Sequence, residues 1–465
     1  MLQLEFKNTN ELCDHFKQFK RLEILDVQYL KNLLKLNASP NVWTDASQQG
    51  LLSVNQEFVK RTNDFTLYGQ KLQLIHLVSF LSNLTKLDLD NNNISDISAI
   101  SCLKNLRMLY LSKNCIVDVS ALENLSNLIK LHLSSNNVTL FKIALPNLVE
   151  LHIGQNLLED LSGLAHSTKL VLLDLQETKI INLNIIPSQL QNLIILMTSM
   201  NDISEIKHIS KFLNLELLYL NSNQKLKDID SLQYCTKITQ LNLKDTSIAN
   251  IQPLTYCSKL IQLNFSNTCV TDIKPLRYLK HLQNLILDNT NISDIWALQF
   301  LKNLTKLNLN STKVIDLHPL QHLYKLEQIQ LNNARVQDVS PLQNLTALDQ
   351  LDISINYISN WNPIKQHKNF PEIKEFDFDF YYKEKYQIGD QMTPSENERK
   401  YYDIILSIHN SQTYIEKFQN KNKFRMSLVQ KRRYLITVFN NHNIQMNMLL
   451  DKLAYFIEYS ITQSQ

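Results

Sequence analysis

Residues 87–106 read LDLDNNNISDISAISCLKNL, and the same pattern returns 22 residues later, from Leu109. When each copy is counted from its first Leu, apolar residues recur at positions 1, 3, 8, 11, 14, 17 and 20. Fourteen copies follow one another, with spacings of 22 residues except for two of 23 and one of 20. A fixed period of this length indicates stacked repeats that share one continuous core. The copies begin at Phe65, Leu87, Leu109, Leu131, Leu151, Leu173, Leu196, Leu218, Leu241, Leu263, Leu285, Leu307, Ile329 and Leu351.

The apolar residues at positions 1 and 3 indicate a short strand with one buried face, because side chains alternate along a strand. Stacked copies place these strands side by side in a parallel sheet, about 60 Å long for gaps of about 4.8 Å. Position 2 lies between the two buried residues. Its side chain is therefore expected on the opposite face of the sheet, toward solvent.

Polar residues at positions 6 and 10 fit the turns of each copy. An amide at position 6, where the chain turns inward, can bond backbone groups that would otherwise be buried and unpaired. Thr replaces Asn in several copies, and Ala334 breaks the rule, so its turn is expected to be less well satisfied. An acid at position 10, such as Asp96, can cap the short helical turn that follows. The predicted structural ladder consists of Asn92, Asn114, Asn136, Asn156, Asn201, Asn223 and Asn356.

Segments such as Asp272-Ile-Lys-Pro-Leu276 and Asp338-Val-Ser-Pro-Leu342 resemble the 22-residue class of leucine-rich repeats, from Phe65 to about Phe370. The resemblance implies an α/β solenoid: a right-handed horseshoe with a parallel concave β-sheet, short 3-10 or irregular convex segments and helical caps. The class includes the leucine-rich-repeat regulatory subunit of type 1 protein phosphatase and the bacterial internalins. It therefore implies a binding scaffold rather than an enzyme, although the fold serves many partners.

Four segments are expected along the chain. Residues 1–64 are predicted to form an N-terminal helical cap, and residues 65–372 hold the fourteen repeats. Residues 373–392 are expected to be a closing strand and linker, and residues 393–465 a C-terminal helical region. Between Lys417 and Arg433 this last region carries seven basic residues and no acid, which fits a nuclear-import signal, a patch for acidic partners or a solvated helix face. The cap helix is predicted from the spacing of Phe16, Phe19, Leu22, Leu25 and Tyr29.

The side chains at position 2 are the predicted partner-binding residues of the concave sheet. Exposed Tyr and Met side chains among them are of the kind enriched at the centres of protein interfaces. In rows 2 and 4 together, Lys244 is the only base against five acids, so no nucleic acid is expected on this face. Gly154, beside His152, is expected to leave room for a side chain of the partner. The row consists of Asp88, Tyr110, His132, His152, Asp174, Met197, Tyr219, Asn242, Asn264, Ile286, Asn308, Gln330 and Asp352.

The row matches the phosphatase regulators in chemical type, since it offers acids and tyrosines. It departs from them in its second half, which is mostly Asn and Gln and contains neither Trp nor Glu. A protein scaffold or adaptor is therefore the main prediction. A regulatory subunit of a type 1 phosphatase and a surface adhesin of internalin type are the alternatives.

His132 and His152 occupy position 2 of adjacent copies, with Asp174 next along the row. A metal or acid–base site is conceivable there, but two His and one Asp on an open sheet lack a pocket and a fourth partner. The sequence also contains no phosphate loop, HExxH, GxSxG or GxGxxG motif. We therefore predict a polar binding surface, with no catalytic residue, no metal and no cofactor.

Bulk composition fits this prediction. The 465 residues carry a formal charge of +3, which gives no global attraction to nucleic acid or membrane. The six cysteines form no CxxC pair and are predicted to be reduced, small buried hydrophobes. Neither a secretion signal nor a membrane-spanning run is recognisable in the sequence. The expected protein is a monomer of the cytoplasm, with the nucleus as the alternative location.

Overall fold

A computed structural model describes residues 22–24, 30–31, 34, 52–54, 56–353, 356, 358 and 362–364. Within them, fourteen three-residue strands form one parallel sheet in strict chain order, and a separate pair of strands precedes it. The pair is β1 (Leu22–Ile24) and β2 (Leu52–Val54), followed by the helix α1 (Gln56–Arg61). The sheet strands are β3 (Asp64–Thr66), β4 (Lys86–Asp88), β5 (Met108–Tyr110), β6 (Lys130–His132), β7 (Glu150–His152), β8 (Leu172–Asp174), β9 (Ile195–Met197), β10 (Leu217–Tyr219), β11 (Gln240–Asn242), β12 (Gln262–Asn264), β13 (Asn284–Ile286), β14 (Lys306–Asn308), β15 (Gln328–Gln330) and β16 (Gln350–Asp352).

The register of the sheet follows the repeat. Position 1 of each copy pairs with position 1 of the next, as Leu87 does with Leu109, and neither residue has exposed surface. Positions 3, 8, 11, 14, 17 and 20 of these copies are buried with them in one continuous hydrophobic core. The leucine-rich-repeat horseshoe that the resemblance implies is thus confirmed, with the strands on one side of the core and the return legs on the other.

The return legs are short 3-10 turns or irregular chain. In many of them the position-10 acid caps the turn, as when the backbone N–H of Ser98 donates to Oδ1 of Asp96 at 2.8 Å. The 3-10 turns of the described residues are His76–Phe80, Ser98–Ile100, Ser120–Leu122, Ser162–His166, Lys207–Lys211, Asp230–Tyr234, Gln252–Tyr256, Lys274–Tyr278, Trp296–Phe300, His318–Leu320, Ser340–Leu342 and Asn362–Ile364.

The amide at position 6 links neighbouring copies. Nδ2 of Asn114 donates to the carbonyl oxygens of Leu111 and Leu89, each at 3.0 Å, and its Oδ1 accepts the N–H of Ile94 at 3.0 Å. A Thr makes fewer such bonds: Oγ1 of Thr290 donates only within its own copy, to the carbonyl of Leu287 at 2.7 Å. Asn at this position therefore bonds two successive copies together, whereas Thr closes one turn.

Position 5 adopts left-handed backbone in every copy from Asn91 to Asn333, with φ between 53° and 60°. The first copy has Gly69 there, and the others have ordinary residues such as Met200, whose φ is 56°. L-residues rarely adopt this conformation, so each copy carries a small, repeated backbone cost just before its ladder residue.

The segment before the repeats is not entirely the predicted helix. Leu22–Ile24 and Leu52–Val54 pair as parallel strands, because backbone pairing outweighs the helical spacing of a few apolar residues there. Leu30 and Leu34 are helical and buried in the same core as Phe65, as a cap over the first repeat requires. The rest of the predicted cap, the segments 373–392 and 393–465, and the basic run Lys417–Arg433 lie outside the described residues.

The cysteine prediction is only partly right. Cys235 and Cys257 are buried, but Cys102, Cys115 and Cys269 are exposed, because their positions in the repeat lie outside the seven buried ones. All five are free thiols, and Cys13 lies outside the described residues. Among the described residues, no helix is long and apolar enough to cross a membrane.

Candidate functional site

Three rows of side chains form the solvent side of the sheet, not two. Each strand begins one residue before the buried Leu of position 1, and this residue, at position 0, faces the same way as position 2. The prediction from positions 2 and 4 omits it. Strict alternation along the strand is the signal that identifies the third row, which includes Lys86, Met108, Lys130, Glu150, Leu172, Ile195 and Leu217.

The thirteen predicted partner-binding residues lie in one continuous row, because each pairs with the next across the sheet. Gln330 is exposed and most of the others are half-buried by their neighbours. Asp174, in contrast, is buried, with only 9% of its surface exposed. The expectation that every side chain of this row faces solvent is therefore wrong for Asp174.

Four side chains of strands β6–β8 converge into a polar cluster, here called the His–Glu cluster: His132, Glu150, His152 and Asp174. Nε2 of His132 and Nε2 of His152 lie 3.1 Å and 3.2 Å from the same oxygen, Oε1 of Glu150. Nδ1 of His152 lies 3.2 Å from Oδ2 of Asp174. Glu150 is thus the additional partner that the sequence prediction counted as lacking.

Two further groups hold the His–Glu cluster in place. Nζ of Lys130 forms an ion pair of 2.7 Å with Oε2 of Glu150, on the oxygen that the histidines leave free. The ring of Tyr110 packs edge-on against His132, with 4.7 Å between ring centroids, and the His132 and His152 rings are 4.4 Å apart. The two imidazoles are therefore fixed from both sides along the sheet.

The pKa values of the two histidines are shifted in opposite directions. The hydrogen bond to Asp174 raises the pKa of His152, and Glu150 adds to that effect. Partial desolvation lowers the pKa of His132, against its hydrogen bond to Glu150. Desolvation alone would raise the pKa of Glu150, but hydrogen bonds from Lys130 and His132 outweigh it, so this pKa is lowered.

Gly154 is a requirement of this packing and not a space for a partner. A Cβ at this position would lie 2.8 Å from the carbonyl oxygen of Gln176 and 3.3 Å from Oδ1 of Asp174. The same oxygen of Asp174 accepts the backbone N–H of Gln176 at 3.0 Å. The predicted opening beside His152 is therefore filled by the protein's own next strand, which turns the Asp174 carboxylate toward His152.

Beside the His–Glu cluster the concave face becomes apolar. Leu172, Ile195 and Leu217 are successive cross-strand neighbours at position 0, and Met197 and Tyr219 are neighbours at position 2. All five are half-buried, with part of each side chain open to solvent. We call these five residues the apolar patch; its position-0 members belong to the row that the sequence prediction omits.

The C-terminal half of the row is chemically different. Oδ1 of Asn242, Asn264 and Asn308 each accepts a backbone N–H two residues ahead, at 3.1, 2.9 and 2.9 Å. These amides are thus partly occupied by their own strand ends, with Ile286 as the apolar residue among them. The N-terminal half, with the His–Glu cluster and the apolar patch, offers the more varied surface for recognition.

Comparison with known proteins supports the repeat assignment. A family model described as leucine-rich repeats, two copies, matches residues 82–124. The chain is a leucine-rich-repeat protein. Its repeats are internalin-like: an internalin (inlF) from Listeria monocytogenes is 28% identical, with a TM-score of 0.59, over 73% of this chain and 96% of that one.

Two more distant structures share the fold. A leucine-rich-repeat protein from Leptospira interrogans is 24% identical, with a TM-score of 0.59, over 77% of this chain and 95% of its own. The ectodomain of the receptor kinase GASSHO1/SCHENGEN3 from Arabidopsis thaliana is 19% identical, with a TM-score of 0.55, over 72% of this chain and 43% of its own. That ectodomain was solved in complex with CASPARIAN STRIP INTEGRITY FACTOR 2. No curated protein sequence matches the chain.

Leucine-rich-repeat proteins are generally non-catalytic binding scaffolds, and the repeats of this chain support a protein-binding repeat scaffold. The concave surface described above is the candidate for the face that binds the partner.

Proposed function

We propose that the chain binds a protein or peptide partner on the concave sheet, and that strands β5–β10 provide most of the selectivity. The observation that carries this proposal is the apolar patch, five partly exposed side chains in register on two rows of neighbouring strands. Exposed groups of this type, rimmed by polar residues, are typical of the centres of protein interfaces.

The rim is polar on both sides. The His–Glu cluster borders the patch at Asp174, and the hydroxyl of Tyr219 bonds Oε1 of Gln240 at 3.1 Å on the other side. An apolar centre of this kind excludes water on contact, while the polar rim sets orientation. The receptor ectodomain with the same fold, solved in complex with CASPARIAN STRIP INTEGRITY FACTOR 2, supports a partner bound by the repeats.

The test compares two double variants of the full chain. We expect Met197→Ala/Tyr219→Ala to weaken partner binding by about tenfold or more, because each truncation removes an interface anchor. Asn242→Ala/Asn264→Ala, in the amide half of the same row, is the matched control. Captured proteins are quantified by mass spectrometry from cells of the source, with circular dichroism to check folding. Capture that is equal for wild type and the first variant would refute the assignment of the patch.

The same experiment tests the narrower hypotheses. A type 1 phosphatase catalytic subunit among the proteins lost with the first variant would establish the phosphatase-regulator alternative. Recovery of the protein from the cell surface would instead support the adhesin of internalin type and refute the cytoplasmic or nuclear location that we retain in this proposal. The scaffold is proposed to act as a monomer without catalysis, and not to bind nucleic acid on its concave face.

A further inference from the structure

The His–Glu cluster brings together three side chains of the types that bind metal ions. His132 and His152 are register partners on β6 and β7, and Glu150 lies two residues before His152 on the same face of its strand. One donor atom from each of the three residues lies within 4.8 Å of the other two. Parallel pairing and strand alternation, not loop conformation, fix this arrangement.

The separations fit a transition metal. Zinc binds His nitrogen and carboxylate oxygen at about 2.0–2.2 Å in a tetrahedral site, so two of its ligand atoms lie about 3.3–3.5 Å apart. The two imidazole nitrogens lie 3.1 Å and 3.2 Å from Oε1 of Glu150. Small side-chain rotations are enough to admit the ion. Two imidazoles with one carboxylate form a donor set that suits zinc better than calcium or magnesium.

Asp174 has the position of a supporting residue for such a site. Its Oδ2 lies 3.2 Å from Nδ1 of His152, the ring nitrogen that does not face Glu150. A carboxylate behind a ligating His fixes its tautomer and its ring orientation, and makes the other nitrogen a better ligand. Gly154 is the reason that this carboxylate can approach so closely.

Charge and access are also compatible with an ion. Glu150 and Asp174 supply two negative charges, and Lys130 offsets one of them from the far oxygen of Glu150. The side chains of His132, Glu150 and His152 are 25%, 21% and 24% exposed, so an ion can enter from the concave side. The site is a set of rigidly placed donors open to solvent.

We propose that His132, Glu150 and His152 form a binding site for one zinc ion on the concave sheet, with Asp174 as the residue that orients His152. The site is independent of the proposed partner binding, since it needs only the residues of β6–β8 and the metal.

Zinc alone is the probe for the test. The full chain is freed of metal with a chelator, kept reduced, and titrated with Zn²⁺ against a chromogenic chelator at neutral pH. We expect the wild type to bind one Zn²⁺ per chain. The affinity for this ion should fall by 100-fold or more in each of His132→Gln, Glu150→Gln and His152→Gln. His281→Gln, an exposed histidine elsewhere on the repeats, is the control and should retain it. Zinc held by thiols persists in all four variants and is subtracted.

Two further variants distinguish the loss of a specific Zn²⁺ site from a general loss of structure. Asp174→Asn should weaken Zn²⁺ binding by about 10–100-fold while the stoichiometry is kept. Lys130→Ala should strengthen it several-fold, because it removes the cation that competes for Glu150. Unfolding cannot produce this gain. The proposal is overturned if wild type binds no Zn²⁺ at micromolar concentration, or if the Gln variants at residues 132, 150 and 152 bind it as wild type does.

Discussion

The backbone N–H of Ser112 donates a hydrogen bond of 2.5 Å to Oδ1 of Asp90, the residue at the same position of the preceding repeat. The bond ties a half-buried carboxylate on the concave face to the backbone of the next repeat. Burial raises the pKa of Asp90 to about 6, from 3.8. The hydrogen bond from Ser112 and the charge of Lys113 oppose this rise, whereas the negative charge of Asp88 adds to it.

This raised pKa predicts a pH-dependent stability. Because the folded pKa exceeds the unfolded one, Asp90 contributes stability that is fully present below pH 3.8 and lost as the pH rises through about 6. Asp90→Asn keeps the acceptor oxygen and removes the charge. We expect the variant to be more stable than wild type at pH 7.5 by about 1 kcal/mol, a value reduced for partial solvent screening. The difference should be much smaller at pH 4 in urea unfolding. An equal difference at both pH values would contradict the prediction.

Substitutions of the residues at position 6 are expected to lower the free energy of unfolding by different amounts. Asn114→Ala leaves the buried N–H of Ile94 without its side-chain bond, and the carbonyl of Leu89 keeps only its bond from Asn92. We therefore expect a loss of about 2–4 kcal/mol in the free energy of unfolding. Thr290→Ala removes one bond and should cost about 1 kcal/mol. Asn114→Thr should fall between the Asn114→Ala variant and wild type. Urea denaturation measures all three, and equal costs for Asn114→Ala and Thr290→Ala would contradict the bridging role of the amide.

Substitution of Gly154 is expected to cause a local steric clash that can also be detected at His152. Gly154→Ala places a Cβ 2.8 Å from the backbone oxygen of Gln176, which cannot rotate away, so we expect a loss of about 1–3 kcal/mol. The displaced strand should also weaken the contact between Asp174 and His152, seen as a changed His152 imidazole signal by NMR. Ser134→Ala, at the same position of the preceding repeat, is the control. A Gly154→Ala protein with wild-type stability and an unchanged His152 signal would contradict the close approach.

The five described thiols predict a selective labelling pattern. Burial raises the pKa of Cys235 and of Cys257 to about 12, so neither forms a reactive thiolate near neutral pH. Iodoacetamide at pH 8 should modify the exposed Cys102, Cys115 and Cys269 first. Peptide mass spectrometry gives the order of labelling, and addition of urea should make all five react. Labelling of Cys235 as rapid as that of Cys102 in the native protein would disagree with its burial.

The fold was predictable because its determinants are local and repeated. The register of Leu87 on Leu109 follows from the 22-residue period alone, and so does the burial of the core positions. Leu22–Ile24 was not predictable in this way, since its strand depends on a partner, Leu52–Val54, some thirty residues away in an unrepeated segment. Pairing of that kind leaves no periodic signal.

The candidate site was only half predictable, for a related reason. His132, His152 and Asp174 follow from their place in the row, but Glu150 belongs to position 0, which looks like a connection until the start of the strand is known. The burial of Asp174 depends on the absence of a side chain at Gly154, a property of a single copy that the repeat pattern averages away. The partner-binding role of the row remains a prediction.

The strict chain order of the sheet has a consequence for how the molecule comes apart. Since each copy touches only its neighbours, unfolding is expected to proceed as fraying from the termini, one repeat after another, more than as a single concerted step. Strands β6–β8 have three sheet strands before them and eight after them. The His–Glu cluster is therefore insulated from either end, and truncation of the last copies should shorten the array while leaving this part of the surface intact.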